Sequence, residues 1–184
     1  MTVQRVKFSS LEEATPEDYA ILRPHLAEEA KKVPGHILDL LKSQRGDPGA
    51  LQVDMYTHGI LTGNYAVDDG ADEKTVVVAL LHDAAHDLSR QHHGAAIAEI
   101  LRPFISQTWI NVLQHHTVFQ GYYSWRHMGL DRNTRDKFRT EPWYDHALRL
   151  AVWDQKAFNP HYKARPLEYF TPMLERFFAN PKRA

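Results

Sequence analysis

Val76-Val77-Val78-Ala79-Leu80-Leu81-His82-Asp83-Ala84-Ala85-His86 is the stretch that decides how this chain folds. Val76, Val77, Leu80 and Leu81 recur at helical spacing and form a broad apolar face, so the segment predicts a central, buried helix with Asp72 placed to cap its start. The apolar run from Val76 to Leu81 is the longest in the chain and far short of the roughly 20 residues that span a bilayer.

Outward from this helix the same periodicity recurs. Upstream, Val53, Tyr56, Ile60 and Leu61 mark a helix that carries His58 and stops at Gly70. Thr15-Pro16-Glu17-Asp18 supplies an N-cap, a first-turn proline and early acids for a helix that Pro24 kinks or interrupts before Lys32. Pro34 restarts a short helix to about Lys42, and Arg45-Gly46-Asp47-Pro48-Gly49 is a turn cluster. Downstream, Ile97, Ile100 and Leu101 lead to Pro103; Ile105, Trp109, Val112 and Leu113 mark a helix ending near Gly121; Trp143 to Phe158 forms another, and a last one follows Pro166. Tyr122 to Pro142 reads as a long loop with one or two helical turns, and the helix through Leu81 is expected to continue across His82, Asp83 and His86. The expected fold class is all-α, with 184 residues fitting a single domain on a prior of roughly 100 to 200 residues. Its core spans about 50–158, with helices at 15–44 and about 166–178 packed on it.

Composition narrows the function. Lys plus Arg is 22 against 23 for Asp plus Glu, a formal charge of -1 that gives no drive toward nucleic acid or an anionic membrane. With no cysteine there is no disulfide, thiolate metal site or cysteine nucleophile, so any metal is held by nitrogen and oxygen. The opening MTVQRVKFSSLEEA lacks the apolar stretch of a signal peptide, and the chain reads as soluble and cytoplasmic. The twelve histidines outnumber the nine glycines, and seven of them (His58, His82, His86, His92, His93, His115, His116) fall between positions 58 and 116.

Adjacent His82 and Asp83 can both ligate one metal, and the second oxygen of the same carboxylate can bridge to another. His86, one turn along, is placed to stand beside the metal or over a substrate. An isolated His-Asp pair is more often a satisfied core hydrogen bond. This pair stands among His58, His93, His116 and Asp154, each on a different expected helix, and Asp154 follows Leu150, Ala151, Val152 and Trp153. An ionised Asp in such apolar company needs a metal, an ion pair or a cap.

The order H...HD...H...H...D over about residues 50 to 158 resembles the HD-domain superfamily. The resemblance implies that His58, His82, Asp83 and Asp154 hold one metal, and that Asp83 as bridge with His93 and His116 holds a second. His93 followed by Gly94-Ala95-Ala96-Ile97 matches the family's helix better than His92 does, and His116 continues the stripe of Trp109, Val112 and Leu113. His92 and His115 are the alternatives at those two positions. Within the superfamily the chain looks closest to the mixed-valent di-iron oxygenases of the 2-amino-1-hydroxyethylphosphonate oxygenase and myo-inositol oxygenase type. It shares with the former a histidine one turn after the HD pair, His86 in HDAAH, and the approach DHALRLAVWD to its last aspartate.

That resemblance implies two iron ions, Fe2+ and Fe3+, and O2-dependent cleavage of a small hydroxylated substrate, with His86 as a substrate-contacting or acid/base group. The alternative is a phosphohydrolase, in which other divalent metals lower the pKa of a bridging water. The phosphonate oxygenases hold their substrate with a Lys and an Arg where this chain has Gln120 and Ala151, and use a Tyr upstream of the first histidine to occupy iron before substrate arrives, whereas no Tyr occurs here between Tyr19 and Tyr56. The aminophosphonate is therefore expected to be a poor substrate. Gln120, Tyr122, Tyr123 and Arg126, which leave the helix after His116, are the candidate substrate-binding residues, against the plainer reading of the aromatics as core. Arg132, Arg135, Lys137 and Arg139 read either as an anion-attracting lid or as an ordinary solvated loop.

Overall fold

The computed structural model describes residues 4–179, 181 and 182. They form eight α-helices: α1 (Pro16–Ala30), α2 (Val33–Ser43), α3 (Met55–Asp68), α4 (Glu73–Leu81), α5 (His93–Leu101), α6 (Gln107–Ser124), α7 (Tyr144–Lys156) and α8 (Leu167–Phe178). Short 3-10 turns lie at Leu11–Glu13, Trp125–Met128 and Arg132–Phe138, and no strand occurs among the described residues. The chain is all-α. No helix among these residues is long and apolar enough to cross a membrane.

Two compact units divide the chain between Ile37 and Leu38, inside α2. In the first, α1 begins with a reciprocal capping box: Asp18 N–H donates to Thr15 Oγ1 at 3.3 Å, and Thr15 N–H donates to the Asp18 carboxylate at 3.1 Å. Pro24 does not end this helix. A proline already has a near-helical φ and removes one backbone donor, a loss that the surrounding turns tolerate here.

In the second unit α4 is the axle, with every residue from Thr75 to Leu81 buried. Helices α3 and α8 pack on it, α7 packs on α3 and α6, and α5 lies along α6. Caps set where the helices start: Asp54 accepts Thr57 N–H at 2.7 Å to open α3, and Asp72 accepts Thr75 N–H at 3.1 Å to open α4. The segment after α7 is tied back to α3 through buried Asn64, which donates to Arg165 O and accepts Arg165 N–H at 3.0 and 2.9 Å.

Two boundaries differ from expectation. Helix α6 runs past Gly121 to Ser124, and the left-handed glycine that stops the path comes later, at Gly129 with φ 72°. Helix α4 stops at Leu81, and the chain from His82 to Leu88 continues as turns with Ala84, His86 and Leu88 N–H bonding three residues back. At this end the His82 imidazole lies on the Ala79 carbonyl at 2.8 Å.

Helices α5 and α6 are in close contact at Gly94. A Cβ there would lie 2.5 Å from Leu113 O and 2.9 Å from the His116 ring. We expect Gly94→Ala to lower the unfolding free energy by about 1 to 3 kcal/mol and to displace His116. Chemical denaturation reads the first effect; a variant as stable as the parent would show that the two helices part without cost.

Candidate metal centre

Six of the singled-out residues meet at one buried point. Helix α3 delivers His58, the end of α4 delivers His82 and Asp83, the start of α5 delivers His93, the middle of α6 delivers His116, and the last turn of α7 delivers Asp154. His58, His82 and Asp154 are fully buried; His116, Asp83 and His93 are 1, 5 and 8 % exposed, so the cluster touches solvent only at its Asp83–His93 edge.

The carboxylate of Asp83 is divided between two pairs of rings. Its Oδ2 lies 3.4 Å from His58 Nε2 and 3.3 Å from His82 Nε2. Its Oδ1 lies 3.0 Å from His93 Nε2 and 3.2 Å from His116 Nε2. Asp154 Oδ1 stands 3.2 Å from His58 Nε2 and 3.8 Å from His82 Nε2, and accepts the Gln120 side-chain amide at 2.8 Å.

The backbone sets the state of each ring. His82, His93 and His116 turn Nδ1 to the carbonyl three residues back, Ala79, Arg90 and Leu113, at 2.8, 2.8 and 2.7 Å. His58 turns Nδ1 to Ala157 O at 3.3 Å. A carbonyl can only accept, so Nδ1 carries the proton and each neutral ring presents an Nε2 lone pair to the others. His93 and His116 bring their Nε2 atoms to 3.0 Å of each other.

Lone pairs facing lone pairs in a buried cluster call for a cation. His58 Nε2, His82 Nε2 and Asp154 Oδ2 are buried without a hydrogen-bond partner. Donor separations of 3.0 to 3.8 Å match the edges of a coordination polyhedron whose bonds are about 2.0 to 2.2 Å long. The donor atoms of His58, His82 and Asp154, and those of His82, Asp83 and His116, each lie within 4.8 Å of one another. These residues fit a metal ion.

Protons answer the same demand. Burial disfavours a charged imidazole, yet the Asp154 and Asp83 carboxylates outweigh it and raise the pKa of His58 above the usual histidine value. At His82 burial is again overcome, chiefly by the Asp83 charge, and the pKa lies well above the ordinary range; at His93 Asp83 has the same effect. Burial would raise both carboxyls, but the His82 charge and its neighbours hold Asp83 well below the usual range, and His58 and His82 hold Asp154 low.

The remaining candidates are distributed around the cluster. His86 is 5.3 Å, ring to ring, from His93, with Nδ1 on Asp87 Oδ1 at 3.2 Å. Gln120 touches the cluster through Asp154, its amide turned to a carboxylate instead of to open space. Tyr123 packs edge-on to Tyr122 at 5.4 Å, Tyr122 is held by Arg132 and Arg135, and exposed Arg126 donates to His127 at 3.1 Å. His92 is exposed at the N-cap of α5, and His115 turns away to stack on Trp143 and meet Phe138. The roles of the Gln120 amide and of the four carbonyls are not visible in the sequence, because an amide has several uses and every residue carries a carbonyl.

No protein-family model matches the chain, and comparison with the curated proteins gives no match.

Two outcomes follow. Asp83→Ala should lose nearly all bound metal by elemental analysis, and His93→Ala and His116→Ala should lose part of it, while His92→Ala and His115→Ala keep theirs. Full metal content in Asp83→Ala would remove that residue from the centre. Because raised histidine pKa values keep protons on the metal-free cluster near neutrality, metal uptake should release protons, and apparent affinity should climb with pH until the histidines are deprotonated. Titration calorimetry in buffers of different ionisation enthalpy measures the release; identical heats in all buffers would contradict it.

Proposed function

We propose that this chain is an HD-domain metalloenzyme that holds two iron ions and uses O2 to oxidise and cleave a small hydroxylated substrate at the carbon bearing the hydroxyl. The observation that carries this reading is the divided Asp83 carboxylate, one oxygen toward His58 and His82 and the other toward His93 and His116. His58, His82, Asp83 and Asp154 would hold the first ion. Asp83, His93 and His116 would hold the second, and three protein donors leave positions for substrate and O2. Four imidazoles and two carboxylates suit iron better than magnesium or calcium, which prefer oxygen. Bound iron supplies the one-electron chemistry that O2 activation needs.

The chain's own groups have distinct tasks. The Nδ1–carbonyl bonds hold four rings in the ligating tautomer, and Gln120 orients Asp154. Near-complete burial excludes water from the first half of the centre, and substrate enters at the Asp83–His93 edge. His86 stands at that edge beside His93; with Nδ1 on Asp87, its Nε2 is the atom that exchanges a proton with substrate.

Iron-loaded, partly reduced protein should give the EPR signal of a spin-coupled Fe2+/Fe3+ pair, absent in Asp83→Ala, and should consume O2 with some member of a panel of α-hydroxy compounds. Absence of the coupled signal together with phosphate release from a phosphomonoester would replace the oxygenase by a phosphohydrolase. With the Gln120 amide committed to Asp154 and a methyl group at Ala151, two charge-assisted hydrogen bonds of roughly 1.5 to 3 kcal/mol each are missing for a phosphonate at the metals. The kcat/KM for 2-amino-1-hydroxyethylphosphonate should then fall at least about a hundredfold below that of the preferred substrate. Comparable values for the two would discard this basis of discrimination.

A further inference from the structure

Helix α6 has a second functional stripe one residue out of phase with the first. His116, Gln120 and Tyr123 follow one line along it, whereas His115, Phe119 and Tyr122 follow the neighbouring line, which the 3-10 turn Arg132–Phe138 covers through Phe138. At the end of that second line the Cζ atoms of Arg132 and Arg135 stand 3.8 and 3.5 Å from the centre of the Tyr122 ring. Two guanidiniums cannot both stand so close to the centre of one face, so they take opposite faces and the phenol lies between them.

Both cations are unneutralised. No carboxylate among the described residues pairs with either, in contrast to Arg102, Arg139, Arg149, Arg165 and Arg176. The acids of the same segment are occupied: Asp131 accepts Asn133 N–H, and Asp136 takes Arg139 and the Tyr144 hydroxyl. The Nε atoms of both Arg132 and Arg135 are buried with no acceptor. A stacked guanidinium keeps its terminal N–H groups available at its outer edge, and two that flank one ring can both reach the oxygens of a single tetrahedral anion seated at the ring's edge.

We propose that Arg132, Tyr122 and Arg135 form a binding site for a phosphate-type oxyanion, inorganic or borne by a small molecule, separate from the metal cluster. The separation follows from helix geometry: Tyr122 is six residues beyond His116, about 9 Å along the axis, and on the other stripe. A compact substrate reacting at the metals does not reach it.

Titration of inorganic phosphate into the metal-loaded chain, into the Asp83→Ala variant and into chelator-treated parent protein tests the site apart from the metals. The expected result is one-site binding in all three, weakened at least tenfold by Arg132→Gln or Arg135→Gln, abolished by the pair, and kept by Tyr122→Phe. Circular dichroism verifies that the variants fold. Absence of phosphate binding in the metal-loaded parent overturns the proposal. So does binding there that vanishes in both metal-free forms, which would put the anion on the metals, and so does parental affinity in the double variant.

Discussion

Four imidazole nitrogens and two carboxylates directed at one buried point form the constraint on which the rest of this structure depends. Left as neutral rings and ionised acids, they repel, and burial removes the water that would screen them. The cluster persists only with positive charge inside it, as protons or as metal. The raised pKa values of His58, His82 and His93 and the lowered ones of Asp83 and Asp154 record that demand in the protonated form.

The scaffold answers with backbone. Each ring is turned by a main-chain carbonyl, three of them from the residue three positions back in the chain. These carbonyls belong to local chain that is already fixed, so orienting the rings adds little entropy beyond that of the fold. His58 is the exception, held by Ala157 from beyond the end of α7, and that bond couples the first and last helices that contribute to the cluster. Gly94 has a matching role at the other side, where the absent side chain lets the His116 ring lie against α5.

Much of this was legible in the sequence. Apolar periodicity located α3 to α7, caps and prolines located α1, α2 and α8, and the stripe of Trp109, Val112 and Leu113 chose His116 over His115, while the resemblance to the HD-domain helix chose His93 over His92. Asp154 stood out as an acid among apolar residues. What escaped lay at a helix end or was set by tertiary contact. The His82-Asp83 segment reads as helix but continues from α4 as turns. Gln120 reads equally well as a substrate contact or a second partner of an acid, and only packing against α7 decides.

The adjacent pair His115 and His116 shows how one helix separates two chemistries. A step of one residue rotates the side chain by about 100°, enough to send His116 to the carboxylates and His115 to Trp143 and Phe138. The aromatic stripe continues through Phe119 to Tyr122 and there meets cations, while the polar stripe continues through Gln120 toward Asp154. Anionic oxygen therefore has two places to go on α6: permanent carboxylates within the cluster, and at the far end two arginines that have no carboxylate of their own. Apart from the edge-on contact of Tyr122 with Tyr123, the two stripes share only the helix backbone, so the two sites can be altered one at a time.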